Sequence, residues 1–281
     1  METYSAQRTL SVRVELIRQI RRRRTAVAFG IVLALPIVVV LAVKFGPSSD
    51  GGGGFGDGDL DLVGLATSGA WNFALTMLFF SSGFLLVIIA AMFLGDTVAS
   101  EASWGTMRYL LAAPVPRRRF LRIKVVVGLV LTMTVLVVLL IAAFLIGLLA
   151  FGSGTLASPL GGALGVGEST TRLAVITGYI AVTLLLPAGV AFLVSVSTDV
   201  PLGAVGAAVV IVIVANILDA LEALGSLRRL LPTDYGGAWV DALGPVIVWD
   251  QMAIGSAYNL AVFVVLVGIA FLRFERKDIL S

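Results

Sequence analysis

The run VVVGLVLTMTVLVVLLIAAFLIGLLAF, Val125 to Phe151, contains no charged residue. A helix rises 1.5 Å per residue, so about 20 such residues cross the hydrocarbon core of a bilayer. This run is longer than that. Leu, Val, Ile and Ala fill it without two-residue alternation, which favours a spanning helix over a barrel strand. Five comparable blocks flank it: about Ala26–Phe45, with Pro36; about Ala70–Gly95; about Leu173–Ser197, with Pro187; about Leu202–Leu221; and about Ile254–Phe274. The 281 residues are 59% hydrophobic and 13% charged, against about 45–50% and about 25% in soluble domains. The expected fold is an all-α membrane protein, with six transmembrane helices forming one domain over residues 1–281.

The basic residues orient these spans, because cytoplasmic loops collect Lys and Arg. Met1–Thr25, Asp96–Lys124, Thr198–Pro201 and the tail from Arg273 carry 16 of the 20 Lys and Arg residues. Lys44, Arg172, Arg228 and Arg229 fall on the other side. Both termini are therefore expected in the cytoplasm, as an even number of spans requires.

The segments between spans differ in kind. In LSVRVELIRQIRRRR, Leu10, Val14, Leu16, Ile17 and Ile20 gather on one side at helical spacing. Glu15, Arg18, Gln19 and Arg22 lie opposite. That pattern predicts an amphipathic helix on the inner surface, with Arg21–Arg24 near anionic lipid headgroups. A cleaved leader is not expected, since the following apolar run is of spanning length. On the outer side, Gly46–Gly69 is rich in glycine and aspartate, and Gly152–Thr171 is small and glycine-rich. Glu222–Gln251 mixes leucines with turn signals, which predicts one or two short outer interfacial helices. Tyr235, Trp239 and Trp249 would suit headgroup depth.

Several chemistries are excluded. The chain has no Cys and no His, which removes thiol and imidazole catalysis. No G-x-x-x-x-G-K-[ST] loop occurs, so nucleotide binding is not expected here. Asp219, near the outer end of the fifth, is the one carboxylate within a span, and proton-coupled carriers usually depend on more. An energy source, if the chain moves a solute, would lie in another subunit. No cofactor and no nucleic-acid contact are expected of this chain.

Between the second and third spans stands EASWGTMRYLLAAPVPRRRFLRIK, Glu101 to Lys124. It is too short and charged to span, and too apolar for an ordinary loop. From Thr97 to Ala112 only Gly105 weakens a helix, and Pro114 and Pro116 then stop it. Trp104, Met107, Tyr109 and Leu110 do not share one stripe, so some should face a protein partner. The alternative for Glu101 is a helix-start carboxylate stabilised by the helix dipole. Arg117–Arg119 read best as the positive-inside signal.

This segment resembles the one after the second span in ABC-2-type transporter permeases, which have a type V-like fold. Glu101, Gly105, Thr106, Leu110, Leu111, Pro114, Pro116, Arg117 and Lys124 carry the likeness. STDVPLGAVG, Ser197–Gly206, resembles that family's turn between spans four and five. LRRLLPTDYGGAW, Leu227–Trp239, resembles its stretch before the last span, with Gly236 where an aromatic is common. The basic N-terminal stretch matches its elbow helix.

The resemblance implies a half-transporter in the cytoplasmic membrane, working as a homodimer or related heterodimer. It also implies a separate ABC ATP-binding subunit, which would hold ATP and Mg. Residues 96–124 would be the coupling segment, with Glu101, Trp104, Gly105, Thr106, Met107 and Arg108 as docking residues. Spans two and five line the path in related folds, which points to Asn72, Phe80, Phe84 and Asn216. For each of these, ordinary helix packing is the competing reading. The aromatic, weakly polar wall suits a drug, antibiotic, peptide or lipid-like compound. The rival readings are a non-transporting scaffold or sensor that docks a cytoplasmic partner, and a membrane-embedded enzyme.

Overall fold

The structure is a computed structural model and describes residues 11–45, 62–104, 116–157 and 163–276. Ser11 starts the first helix, α1 (Val12–Ile20), by accepting the Val14 N–H at 3.3 Å, a side-chain cap for one of the helix's unpaired donors. The Thr25 hydroxyl donates to the Gln19 carbonyl at 2.7 Å and fastens the turn into α2 (Arg23–Phe45). Then come α3 (Leu62–Thr67), α4 (Ala70–Gly83), α5 (Leu85–Ser103), α6 (Arg117–Phe151), α7 (Val166–Thr183), α8 (Leu185–Ser197), α9 (Pro201–Asp219) and α10 (Asp250–Arg276). Six helices are long and apolar enough to cross a membrane: α2, α5, α6, α7 and α8 taken as one, α9, and α10. A two-residue antiparallel pair, Leu156–Ala157 (β1) with Ala163–Leu164 (β2), is the one departure from helix and turn among the described residues.

Two of the expected spans are broken, for physical reasons visible in their residues. The second was read as continuous over Ala70–Gly95. The chain instead bends at Phe84 (φ −139, ψ −60), directly after Ser81-Ser82-Gly83, three weak helix formers in a row. Helix then continues past Gly95 to Ser103, so the first third of the expected coupling segment is an extension of the span. In the fourth span α7 ends at Thr183, four residues before Pro187. That is the carbonyl a helical proline ring clashes with. The third and sixth spans start earlier than read, at Arg117 and Asp250. Pro201 opens α9, where its missing N–H costs nothing.

The helices alternate in direction. At one end, α1, the end of α5, the start of α6 and the ends of α8 and α10 meet. Lys124 reaches Glu15, Arg117 donates to the Glu275 carbonyl at 2.9 Å, and Arg273 reaches the Ser197 hydroxyl at 2.8 Å. We call this the basic end. At the opposite end Ala70 N donates to Gly152 O at 3.0 Å, joining the start of α4 to the end of α6. A Cβ on Gly69 would lie 2.7 Å from the Gly154 Cα, so that crossing admits no side chain there.

Helix α5 is the centre of the bundle. It is 72% buried, against 17% for α2 and for α9. Gly128 of α6 lets Leu94 of α5 come so close that a Cβ would sit 2.6 Å from the Leu94 Cδ1. The Ser195 hydroxyl of α8 accepts the Val98 and Ala99 N–H groups of α5 at 3.2 and 3.0 Å. The outward faces of α2 and α9 carry Ile31, Leu33, Leu41, Val210, Ile213 and Ile217, all exposed, a composition suited to lipid.

A lid of turns closes the opposite end between α9 and α10. It contains 3₁₀ helices over Glu222–Leu230 and Ala238–Leu243, the first bent at Gly225 (φ 50), a backbone conformation that favours glycine. Buried Arg172 of α7 holds this lid by donating to the carbonyls of Ala242 (2.6 Å), Gly244 and Pro245 (3.1 Å). Tyr179 adds a hydrogen bond to the Tyr235 carbonyl.

Candidate functional site

Two places in the fold gather polar chemistry. The first is an ionic cluster at the basic end. Helix α1 turns its polar side inward: Glu15 and Gln19 are buried, while Val12, Val14, Ile17 and Ile20 are exposed. The sequence placed the same two sides correctly but expected the polar one in water. It meets charges from α5 and α6 instead.

Lys124 of α6 is fully buried and its Nζ contacts Glu15 Oε1 at 2.7 Å and also Glu101 of α5. Arg18 bridges the same two carboxylates, contacting Glu15 Oε2 at 2.7 Å. Gln19 donates to Glu15 at 2.9 Å and accepts from Arg24 at 3.0 Å. Asp96, five residues before Glu101 on α5, pairs with Arg22 at 3.0 Å and with Arg24. Four charges, two of each sign, thus tie α1, α5 and α6 together, and a second set ties the start of α2 to α5. A buried pair is weak evidence for net stability, but its loss leaves an uncompensated charge.

Burial alone would raise the Glu15 carboxyl. Lys124 beside it, with hydrogen bonds from Lys124, Arg18 and Gln19, brings it down from 4.5 to about 2. A depressed carboxylate stabilises the fold above its unfolded value, and the contribution is lost as pH falls through the folded value. The α1 docking is therefore expected to hold from neutral pH to about pH 4.5 and to fail between there and about pH 2. Glu15→Gln should flatten the acid limb of a melting curve taken in detergent. An unchanged acid limb would refute this.

Glu101 was expected to meet a partner. It is fully buried and meets Lys124 and Arg18, so it is a junction between helices and not a docking surface. Its burial follows from α5 running on to Ser103. Trp104 does face outward, 64% exposed, with the Arg22 guanidinium 5.2 Å from its ring centre. Gly105, Thr106, Met107 and Arg108, with Tyr109 to Val115, lie outside the described residues. Arg117 and Arg118 hold the end of α10: Arg118 pairs with Glu275, and Arg117 donates to its carbonyl.

The second place is a cavity of about 470 Å³ under the lid, at the level where both broken spans bend. Phe79 and Phe80, Asn216 and Asp219, Thr233 and Trp239 give it its character. Of the four expected path residues, the structure brings two here, Phe80 and Asn216. Asn216 also donates to the Val212 carbonyl at 3.0 Å.

Asn72 lies elsewhere. It is buried and donates to the Ser68 hydroxyl (2.7 Å) and the Thr155 carbonyl (3.0 Å), a clamp between the start of α4 and the loop after α6. Phe84 stands at the helix bend with its ring exposed, outside the lining. Trp239 was expected at headgroup depth. It is buried, with its ring 5.7 Å from that of Phe79. Trp249 is exposed.

Sequence reasoning missed the Glu15–Lys124 pair and Arg172. A lone Lys at the head of an apolar run was the available signal for the first. The lid residues carried none, because only tertiary folding brings Thr233 and Trp239 over α9 and α4.

The chain belongs to the family described as Protein of unknown function (DUF2705), whose model matches residues 37–280. No curated protein matches it.

Proposed function

We propose that the chain is the membrane subunit of an ATP-driven exporter, with the basic end in the cytoplasm of a cell whose plasma membrane it spans. The Lys and Arg asymmetry supports that orientation, and the ABC-2-type resemblance supports the transport class. Two copies would enclose the path, and an ATP-binding subunit would dock on the segment that follows α5. The carrying observation is the position of α5. Its last turns hold Asp96 and Glu101 of the ionic cluster, and its first turn, with Val87, lines the cavity. The two places are about 20 Å apart along one buried helix, at 1.5 Å per residue.

A helix with few exposed side chains cannot bend easily in a packed interior. A push near Trp104 would therefore reach the cavity as a tilt of α5. The ionic cluster would make α1 and α6 move with it. Glu101 transmits in this scheme through Lys124 and Arg18, while Trp104 makes the contact. ATP hydrolysis and Mg belong to the partner subunit.

Purification from the native membrane in mild detergent tests this. The chain is expected to bring down an ATP-hydrolysing subunit, and Trp104→Ala to lower its yield about ten-fold, the effect of losing one aromatic anchor. Inverted vesicles should accumulate an amphiphilic dye only with ATP. A partner without ATPase activity would support a docking scaffold or sensor and sink the exporter reading.

A further inference from the structure

We propose that the cavity under the lid selects an amphiphilic organic cation. This rests on the exporter reading for its purpose and on the cavity alone for its chemistry. Asp219 is the one charged side chain among the described lining residues. It shares the cavity with Phe79, Phe80 and Trp239, and with Asn216 and Thr233 as neutral hydrogen-bonding groups. Phe79 and Phe80 are both more than two-fifths exposed, so each keeps free surface beyond the edge contacts that Phe79 makes with Phe80 and Trp239. A carboxylate in one cavity with aromatic rings attracts a cation twice, by charge and by the ring quadrupoles. It repels an anion of equal size. About 470 Å³ accommodates a drug-sized molecule.

Asp219 already has a partner, and the nature of that contact strengthens the case. Arg228 Nε stands 3.4 Å from Asp219 Oδ1, a long contact, and its side chain is about one-third exposed. Arg228 belongs to the lid but not to the described lining. An entering cation can take its place on Asp219 while the guanidinium swings into water, so no net charge is buried. The segments read from the sequence as outer have the same sign. Residues 46–69, 152–171 and 222–251, with Asp219, hold ten of the 17 acidic residues, while four of the 20 basic ones, Lys44, Arg172, Arg228 and Arg229, fall on that side. Such a field concentrates cations at that end and disfavours anions.

Tetraphenylphosphonium and tetraphenylborate separate charge from shape, being nearly the same size with opposite signs. The purified chain in neutral detergent, without an ATP-binding subunit, is titrated with each by calorimetry after subtracting micelle partitioning. The cation is expected to bind and the anion not to. Asp219→Asn should weaken the cation about ten-fold. Arg228→Gln should leave its affinity equal or higher, because a competitor for Asp219 is removed. Melting curves of both variants must match the parent's to exclude misfolding. If one melts early, Phe80→Leu substitutes as the reporter and should weaken the cation with no change toward the anion. Equal affinity for the two ions, or a folded Asp219→Asn chain that binds the cation unchanged, overturns the inference. The measurement is independent of the exporter reading: a chain that binds the cation but brings down no ATPase keeps the site and loses the transport cycle.

Discussion

Lys124→Met is expected to unfold the basic end of the molecule, at a cost of about 3–5 kcal/mol. The side chain is fully buried and contacts Glu15 and Glu101, both buried too. Methionine has a similar volume, so packing survives and only the charge is lost. Two carboxylates then share Arg18, whose own side chain is 38% exposed and more weakly held. The uncompensated charge is relieved by releasing α1. In detergent, the melting temperature should fall by several degrees, and a protease should cut the α1–α2 junction early. Glu15→Gln in the same chain removes the surplus charge and leaves Arg18 paired with Glu101. The double variant is therefore expected to recover most of the lost stability. Lys124→Arg should not substitute fully, since a fork of donors is wider than an ammonium in a closed site. If the single variant melts like the parent, α1 is not held by this cluster.

This cluster also shows where sequence reading stops. The run from Val125 to Phe151 was legible as a helix because twenty-odd apolar residues in a row leave one economical solution in lipid. The two faces of α1 were legible for the same reason, a period of 3.6. Which face met protein was not. An isolated amphipathic helix puts charge in water, but α1 has a charged wall beside it made by Glu101 and Lys124, which are 23 positions apart in the chain. No local pattern encodes that pairing.

The bends were partly legible. Pro187 announced one, though not that the helix would part at Thr183, and Ser81-Ser82-Gly83 announced the other only in retrospect. The path residues divide by the same logic. Phe80 and Asn216 both line the cavity, whereas Asn72 sits one end of α4 away and spends its amide on Ser68 and Thr155. From sequence, the four look alike.

Arg172→Met should release the lid. Arg172 is nearly buried and is the shared donor for the carbonyls of Ala242, Gly244 and Pro245, while Glu168 Oε1 accepts from its Nη2 at 2.6 Å. These carbonyls lie at and just beyond the end of a 3₁₀ helix, in a stretch with no ladder to satisfy them. A buried carbonyl without a donor costs about 1–3 kcal/mol. Losing three at once exceeds what the remaining lid contacts, such as the Tyr179 bond to the Tyr235 carbonyl, can offset. The expected outcome is local opening: residues 231–249 become cleavable and exchange amide hydrogens at least about ten-fold faster, an effect of about 1.4 kcal/mol or more. The helices α5 and α6 should keep their protection, because they pack on one another and on α2, α4, α8 and α9 rather than on the lid's 3₁₀ helices. Trp239, which roofs the cavity against Phe79, should redden its emission as water enters. Tyr179→Phe removes one hydrogen bond only and should open the lid far less. Uniform exchange across all helices in Arg172→Met would mean that the arginine supports the whole fold. An unchanged pattern would mean that the lid is held by its apolar contacts alone.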